Sequence, residues 1–133
     1  MNIVEVEGIG PVYAEKLKAA GVAQTDDLLQ AGATPQGRKS LAQKSGIDEQ
    51  MILQWVNHCD LMRIKGVGSE YADLLEAAGV DTVKELAQRR PDNLLAKVLE
   101  VNESKKLVRR TPTASMVESW VTEAKSLPGA ISY

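Results

Sequence analysis

Residues 6–22 read VEGIGPVYAEKLKAAGV, and residues 64–80 read IKGVGSEYADLLEAAGV. Both stretches carry Gly-apolar-Gly, and both end in Ala-Ala-Gly-Val. At an offset of 58, Gly8 meets Gly66, Gly10 meets Gly68, Tyr13 meets Tyr71, Ala14 meets Ala72 and Leu17 meets Leu75. The run Ala19-Ala20-Gly21-Val22 then meets Ala77-Ala78-Gly79-Val80, and Leu28 meets Leu86. Chance does not produce that density of matches, so the chain reads as an internal duplication. The later halves echo each other more faintly. Thr34-Pro35 resembles Thr111-Pro112, and MILQWV resembles MVESWV, which sets Trp55 opposite Trp120.

Local signals around these stretches are helical. Pro11 suits a first turn, and Tyr13, Leu17 and Ala20 share one face. Gly21 and Gly79 read as left-handed helix caps. Ser69 reads as an N-cap, and Thr82 with Glu85 as a capping box. Thr25-Asp26-Asp27 starts a short helix, and Thr34-Pro35 opens a third that ends before Gly46. Asp48 caps a fourth, running to about Leu61, with Ile52, Trp55 and Val56 on its apolar face. Pro91 opens a long helix to about Arg110, and Thr111-Pro112 breaks it and starts a last one to about Leu127. No stretch alternates long enough to predict a strand. The expected class is all-α: duplicated units, 1–60 and 61–133, packed into one compact helical body.

Composition narrows the function classes. The 133 residues are 44% hydrophobic and 26% charged, with a formal net charge of −2. That balance argues against a strongly basic nucleic-acid binder while leaving room for a local basic stripe. Phe is absent, so aliphatic side chains must build most of the core. A single cysteine, Cys59, excludes an intrachain disulfide framework and fits a reducing compartment. No apolar run approaches the roughly 20 residues that span a bilayer. The opening MNIVEVEG lacks the features of a signal peptide, so the chain reads as cytoplasmic.

A glycine turn ahead of a helix leaves backbone N–H groups without intrahelical acceptors. Together with the positive end of the helix dipole they suit a phosphate oxygen, and they read no base sequence. The two stretches resemble helix-hairpin-helix motifs, apolar-x-Gly-apolar-Gly-x-x-x-Ala-x-x-Leu, through Val6, Gly8, Ile9, Gly10, Ala14 and Leu17, and through Ile64, Gly66, Val67, Gly68, Ala72 and Leu75. The wider chain resembles an uncharacterised bacterial domain family of unknown function built from such tandem motifs, with a SAM/helix-hairpin-helix-like fold. The resemblance implies sequence-independent contact with a DNA backbone through the amides of Gly8, Ile9 and Gly10 and of Gly66, Val67, Gly68 and Ser69.

Departures from the motif separate the two copies. DNA-binding members often carry a basic residue soon after the second glycine, whereas here Glu7 precedes the first pair and Ser69-Glu70 follows the second. A carboxylate beside a phosphate site repels, and more so as water is excluded. Arg63 and Lys65 make the second turn the better candidate. The segment KKLVRR would add a helical face, Lys105 with Arg109 and Lys106 with Arg110, while Leu107 and Val108 point inward. The blander reading of that segment is a dipole-complementing, solvated helix end. Arg38, Lys39 and Lys44 read as ordinary surface.

No catalytic constellation, metal-ligand spacing or cofactor motif is present. His58 and Cys59 are sequence neighbours, which do not face each other on a helix. The expectation is a non-enzyme without cofactors, either a backbone-binding module or a protein-interaction scaffold whose turns only pack helices. A domain binding a small phosphorylated ligand is the third class. Its partner would be DNA backbone or another protein, with no membrane, as a monomer or homodimer. The first turn has only seven residues ahead of Gly8, so the last helix is expected to supply its missing partner, in the same chain or across a dimer.

Overall fold

Several helix boundaries in this chain fall at proline, glycine or hydroxyl residues, among them Pro11, Thr34-Pro35, Gly46, Pro91 and Thr113. The computed structural model describes residues 1–133 and contains eight α-helices, one 3-10 helix and no β-strand. Contacts divide it into two units, Met1–Asp60 with Ala130–Tyr133, and Leu61–Gly129.

In the first unit a 3-10 turn, Ile3–Glu5, precedes α1 (Pro11–Ala19), α2 (Thr25–Ala31), α3 (Pro35–Ser45) and α4 (Glu49–Leu61), whose last residue belongs to the second unit. The 3-10 turn is held at both ends. Asn2 Oδ1 accepts the Val4 N–H at 3.0 Å, and Glu5 Oε2 accepts the Asn2 N–H at 3.3 Å. The Ile3 N–H donates to Ala23 O at 3.2 Å and the Thr25 N–H to Met1 O at 2.9 Å, so residues 1–3 lie against the α1–α2 connection. Asp27 Oδ2 accepts from Gln24 N–H, Thr34 Oγ1 accepts from Gly37 N–H, and Asp48 Oδ1 accepts from Gln50 N–H, each satisfying donors at a helix start. Gly46 closes α3 in the left-handed conformation, φ +74.

The second unit repeats this order with α5 (Ser69–Ala77), α6 (Val83–Ala87), α7 (Pro91–Lys105) and α8 (Ala114–Ser126). Its core gathers Leu61, Ile64, Leu75, Leu86, Leu94, Val117 and Trp120 among others. There α8 packs on α6 and α7, and α5 packs on α7.

Around the Gly-x-Gly turns and the ends of the helices that follow them, backbone bonds match between the units. Ile9 N–H donates to Val6 O at 3.0 Å and Val67 N–H to Ile64 O at 3.1 Å. Val22 N–H donates to Leu17 O and Val80 N–H to Leu75 O, both at 2.9 Å. Gly21 and Gly79 stand at φ +93 and +94, which only glycine adopts cheaply. With Gly21 N–H on Lys18 O and Gly79 N–H on Glu76 O, these are Schellman endings, in which buried Val22 and Val80 sit over buried Leu17 and Leu75. Trp55 and Trp120, on helices of 13 residues each, occupy matching places 65 residues apart. The extra seven residues over the offset of 58 therefore lie in the second unit, between its second helix and its Trp helix.

Several local expectations are corrected. α5 starts at Ser69 itself, and its N-cap is Gly68, which makes no side-chain cap bond. Glu85 reaches back to the Asp81 N–H rather than to its capping partner, although Thr82 Oγ1 does accept the Glu85 N–H. α7 ends at Lys105, not near Arg110. The Asn102 side chain there accepts from Val108 N–H at 2.9 Å and donates to Val108 O at 3.1 Å, folding the chain back and burying Val108. Lys106 turns the corner at φ 52, a left-handed conformation with no glycine to announce it. The last helix starts after Thr113, whose hydroxyl accepts the Met116 N–H, so Pro112 stays outside it. Within the chain that helix belongs to the second unit and backs the second turn. Trp120 lies against Tyr71, with ring centroids 5.2 Å apart, and Trp55 of α4 packs on Tyr13 in the first unit at 5.3 Å.

Candidate functional site

Each Gly-x-Gly turn is built from its own glycine conformation and one indole. Gly8 stands at φ +90 and Gly66 at φ +88. A Cβ on Gly8 would meet Trp55 Nε1 at 3.2 Å, and one on Gly66 would meet Trp120 Nε1 at 3.4 Å. Backbone sign requires both glycines, and at Gly8 the closeness of the indole adds to that requirement. Ile9 and Val67, between the glycines, are buried. Their N–H groups are spent on Val6 O and Ile64 O, so the amides at these two predicted positions bind inside the turn.

Gly10 and Gly68 are extended N-caps of α1 and α5. The first intrahelical bonds are Ala14 N–H to Gly10 O and Ala72 N–H to Gly68 O, both at 2.9 Å. Helix geometry therefore leaves the N–H groups of Gly68, Glu70 and Tyr71 without an intrahelical acceptor. Pro11 removes one of the equivalent donors in the first unit. Glu7 is exposed beside that first turn.

Around the second turn the basic residues divide into tied and free-standing sets. The Arg63 guanidinium, half-buried, donates to Pro128 O at 3.1 Å. The Lys65 side chain is exposed, but its main-chain N–H donates to Glu123 Oε1 at 3.1 Å, so a carboxylate already sits at that amide. Lys105, Lys106, Arg109 and Arg110 are exposed, yet only Lys105 is helical, and the expected i, i+4 face does not form. A tertiary contact replaces it: the Tyr71 hydroxyl donates to Arg110 O at 2.9 Å. Tyr71 lies in the first turn of α5, so the basic loop is fastened to the start of that helix. Sequence periodicity could not find this contact, because Tyr71 and Arg110 are 39 residues apart.

Charge segregates between the units. Eleven Lys and Arg against ten Asp and Glu give the second unit +1, and five against eight give the first −3.

Burial pushes the Cys59 thiol up to about 12, with the Asp26 and Asp60 carboxylates adding to the effect, so it stays protonated near neutral pH. Its counterpart in the second unit, Ala124, is equally buried, as expected of a small core residue. No group of three His, Cys, Asp or Glu side chains is gathered to hold a metal ion. No helix is long and apolar enough to cross a membrane. Arg38, read from sequence as surface, is instead 4% exposed and hydrogen-bonded to main-chain carbonyls.

Residues 7–127 match a domain of unknown function, DUF4332, and the chain belongs to that family. Comparison with curated proteins and with solved structures gives no match.

Proposed function

We propose that the chain is a non-catalytic module whose second unit contacts a nucleic-acid backbone without reading sequence. In this reading each Gly-x-Gly turn is the hairpin of a helix-hairpin-helix unit, and only the second is equipped for phosphate. The carrying observation is the 2.9 Å bond from the Tyr71 hydroxyl to Arg110 O. It supports a surface in which the Glu70 and Tyr71 amides at the start of α5, exposed Lys65 and the Arg109-Arg110 loop act on one phosphodiester chain. The first hairpin, short of one donor at Pro11 and flanked by Glu7, serves packing alone. Affinity is weak, with a dissociation constant on the order of 10⁻⁴–10⁻⁶ M at physiological salt.

Labelled duplex DNA titrated at two salt concentrations tests this, with an Arg109→Glu, Arg110→Glu variant alongside. Both side chains are exposed, so the variant should fold as the parent does. The expected result is salt-steepened binding that the variant loses. Absence of parent binding at low salt rejects the proposal.

A second reading, a protein-interaction scaffold, is favoured by Glu123 on the Lys65 amide and by the indoles beneath both turns. A carboxylate at that amide opposes an incoming phosphate, and the Trp55 indole gives Gly8 a packing role without any ligand.

A further inference from the structure

We propose that Ala33, Arg38 and Asn57 form a recognition site for an extended peptide segment presenting Ser-Tyr, filled here by residues 132–133 of the chain itself and able to take the same segment of a second copy. Ala130–Tyr133 belongs to the first unit. Ser132 is read at both of its main-chain groups. Its N–H donates to Ala33 O at 2.7 Å, and its carbonyl accepts from Arg38 Nη2 at 2.9 Å. Tyr133 is read at two further points. Its hydroxyl donates to Asn57 Oδ1 at 2.9 Å, and its ring lies under the Arg38 guanidinium, 5.7 Å from centroid to Cζ. Pairing the main chain while side-chain contacts choose the residue is how extended peptides are recognised.

Arg38 is the reason the site needs an occupant. Its guanidinium carries five donors, none of which can be deprotonated away. A buried charge requires acceptors. Gly32 O supplies one from within the fold, at 2.8 Å from Nη1. Gly32 is itself crowded, since a Cβ there would run into Val56 and come tight against Leu28 O, with the Arg38 stem in contact beside it. The Ser132 carbonyl supplies the second acceptor, so removing the tail leaves a buried cation short of a partner that another peptide carbonyl would replace.

Retention of the tail is nonetheless polar. Tyr133 is 66% exposed, so little apolar surface holds it, and segments of that kind open readily. Pro128 and Gly129 precede the tail and keep it out of α8. The chain's own tail competes at a high effective concentration, so a second copy's tail enters only when the resident one is released.

The test uses the full chain carrying Ser132→Pro, which deletes the N–H given to Ala33 O at an exposed position. A fluorescein-labelled peptide of residues 128–133 is titrated and followed by anisotropy, and hydrogen exchange of the tail reports its release. The expected result is faster tail exchange in the variant and saturable peptide binding to it. Binding should be at least about tenfold weaker to the parent protein, and about tenfold weaker again when Arg38→Lys is added to the variant. Should Arg38→Lys disturb folding by circular dichroism, a Tyr133→Phe peptide provides the same contrast through the lost Asn57 bond. Equal tail exchange in parent and variant, or no peptide binding to a released variant, overturns the proposal.

Discussion

Replacing Gly8 and Gly21 separately by alanine separates two reasons for glycine that the same positive φ conceals. Both stand near φ +90, and an L-residue there costs about 1–2 kcal/mol. Gly21 has nothing within 4 Å of a would-be Cβ, so Gly21→Ala should lose that amount and no more. At Gly8 the same Cβ would come within 3.2 Å of Trp55 Nε1. The indole is buried and packed on Tyr13, so it has little room to retreat. Overpacking of this kind adds about 1–3 kcal/mol, for a total of about 2–5 kcal/mol. Against a total stability of about 5–15 kcal/mol, that is a large fraction. Urea unfolding followed by circular dichroism reads the difference. With a slope of about 1–3 kcal/mol/M, the Gly8→Ala midpoint should fall roughly 1 M below that of Gly21→Ala. A Trp55→Phe change removes the crowding atom, so a double-mutant cycle should show Gly8→Ala costing about 1 kcal/mol less or better in that background. Equal midpoints for the two alanine variants, or no coupling to Trp55, would refute the claim that the indole sets the glycine.

Other consequences are equally direct. Lys106→Gly should stabilise the protein by about 0.5–1 kcal/mol in the same urea assay, because the residue stands at φ 52 and glycine adopts it without strain. Asn102→Ala should cost about 1–3 kcal/mol by losing both bonds to Val108, with a matching fall in the thermal midpoint. Cys59, raised to about 12 from 9.0, favours the folded state only while protonated. Its contribution is complete below pH 9 and is lost as pH rises toward 12, so Cys59→Ala should flatten the alkaline fall in stability measured over that window. Under the nucleic-acid reading, Glu123→Gln should tighten DNA binding in the same titration by removing the charge beside the Lys65 amide. Losing Arg109 and Arg110 should reduce the slope of log affinity against log salt by about 0.9 for each phosphate contact removed.

Much of this architecture is written in short-range signals. Gly21, Gly46 and Gly79 end helices because a positive φ is needed where they stand, and Thr34, Asp48 and Thr113 start helices because their oxygens take up orphan donors. Pairs such as Leu17 with Leu75 and Cys59 with Ala124 are buried alike, so repetition in the chain carried the core. Such features depend on residues a few positions apart, and one sequence displays them.

Where distant segments compete, local signals run out. The end of α7 at Lys105 is decided by Asn102 folding Val108 into the core, and the Arg-rich loop takes its place from a tyrosine 39 residues earlier. Arg38 looks like any surface arginine until the tail brings a carbonyl to it from 94 residues away. The ladder of helix signals was therefore determined by the chain alone, through backbone sterics and hydrogen-bond accounting within single turns. Which amides are spent, which cations are tied and which indole backs which glycine were decided by tertiary packing, because each depends on a partner whose separation along the chain no periodicity encodes.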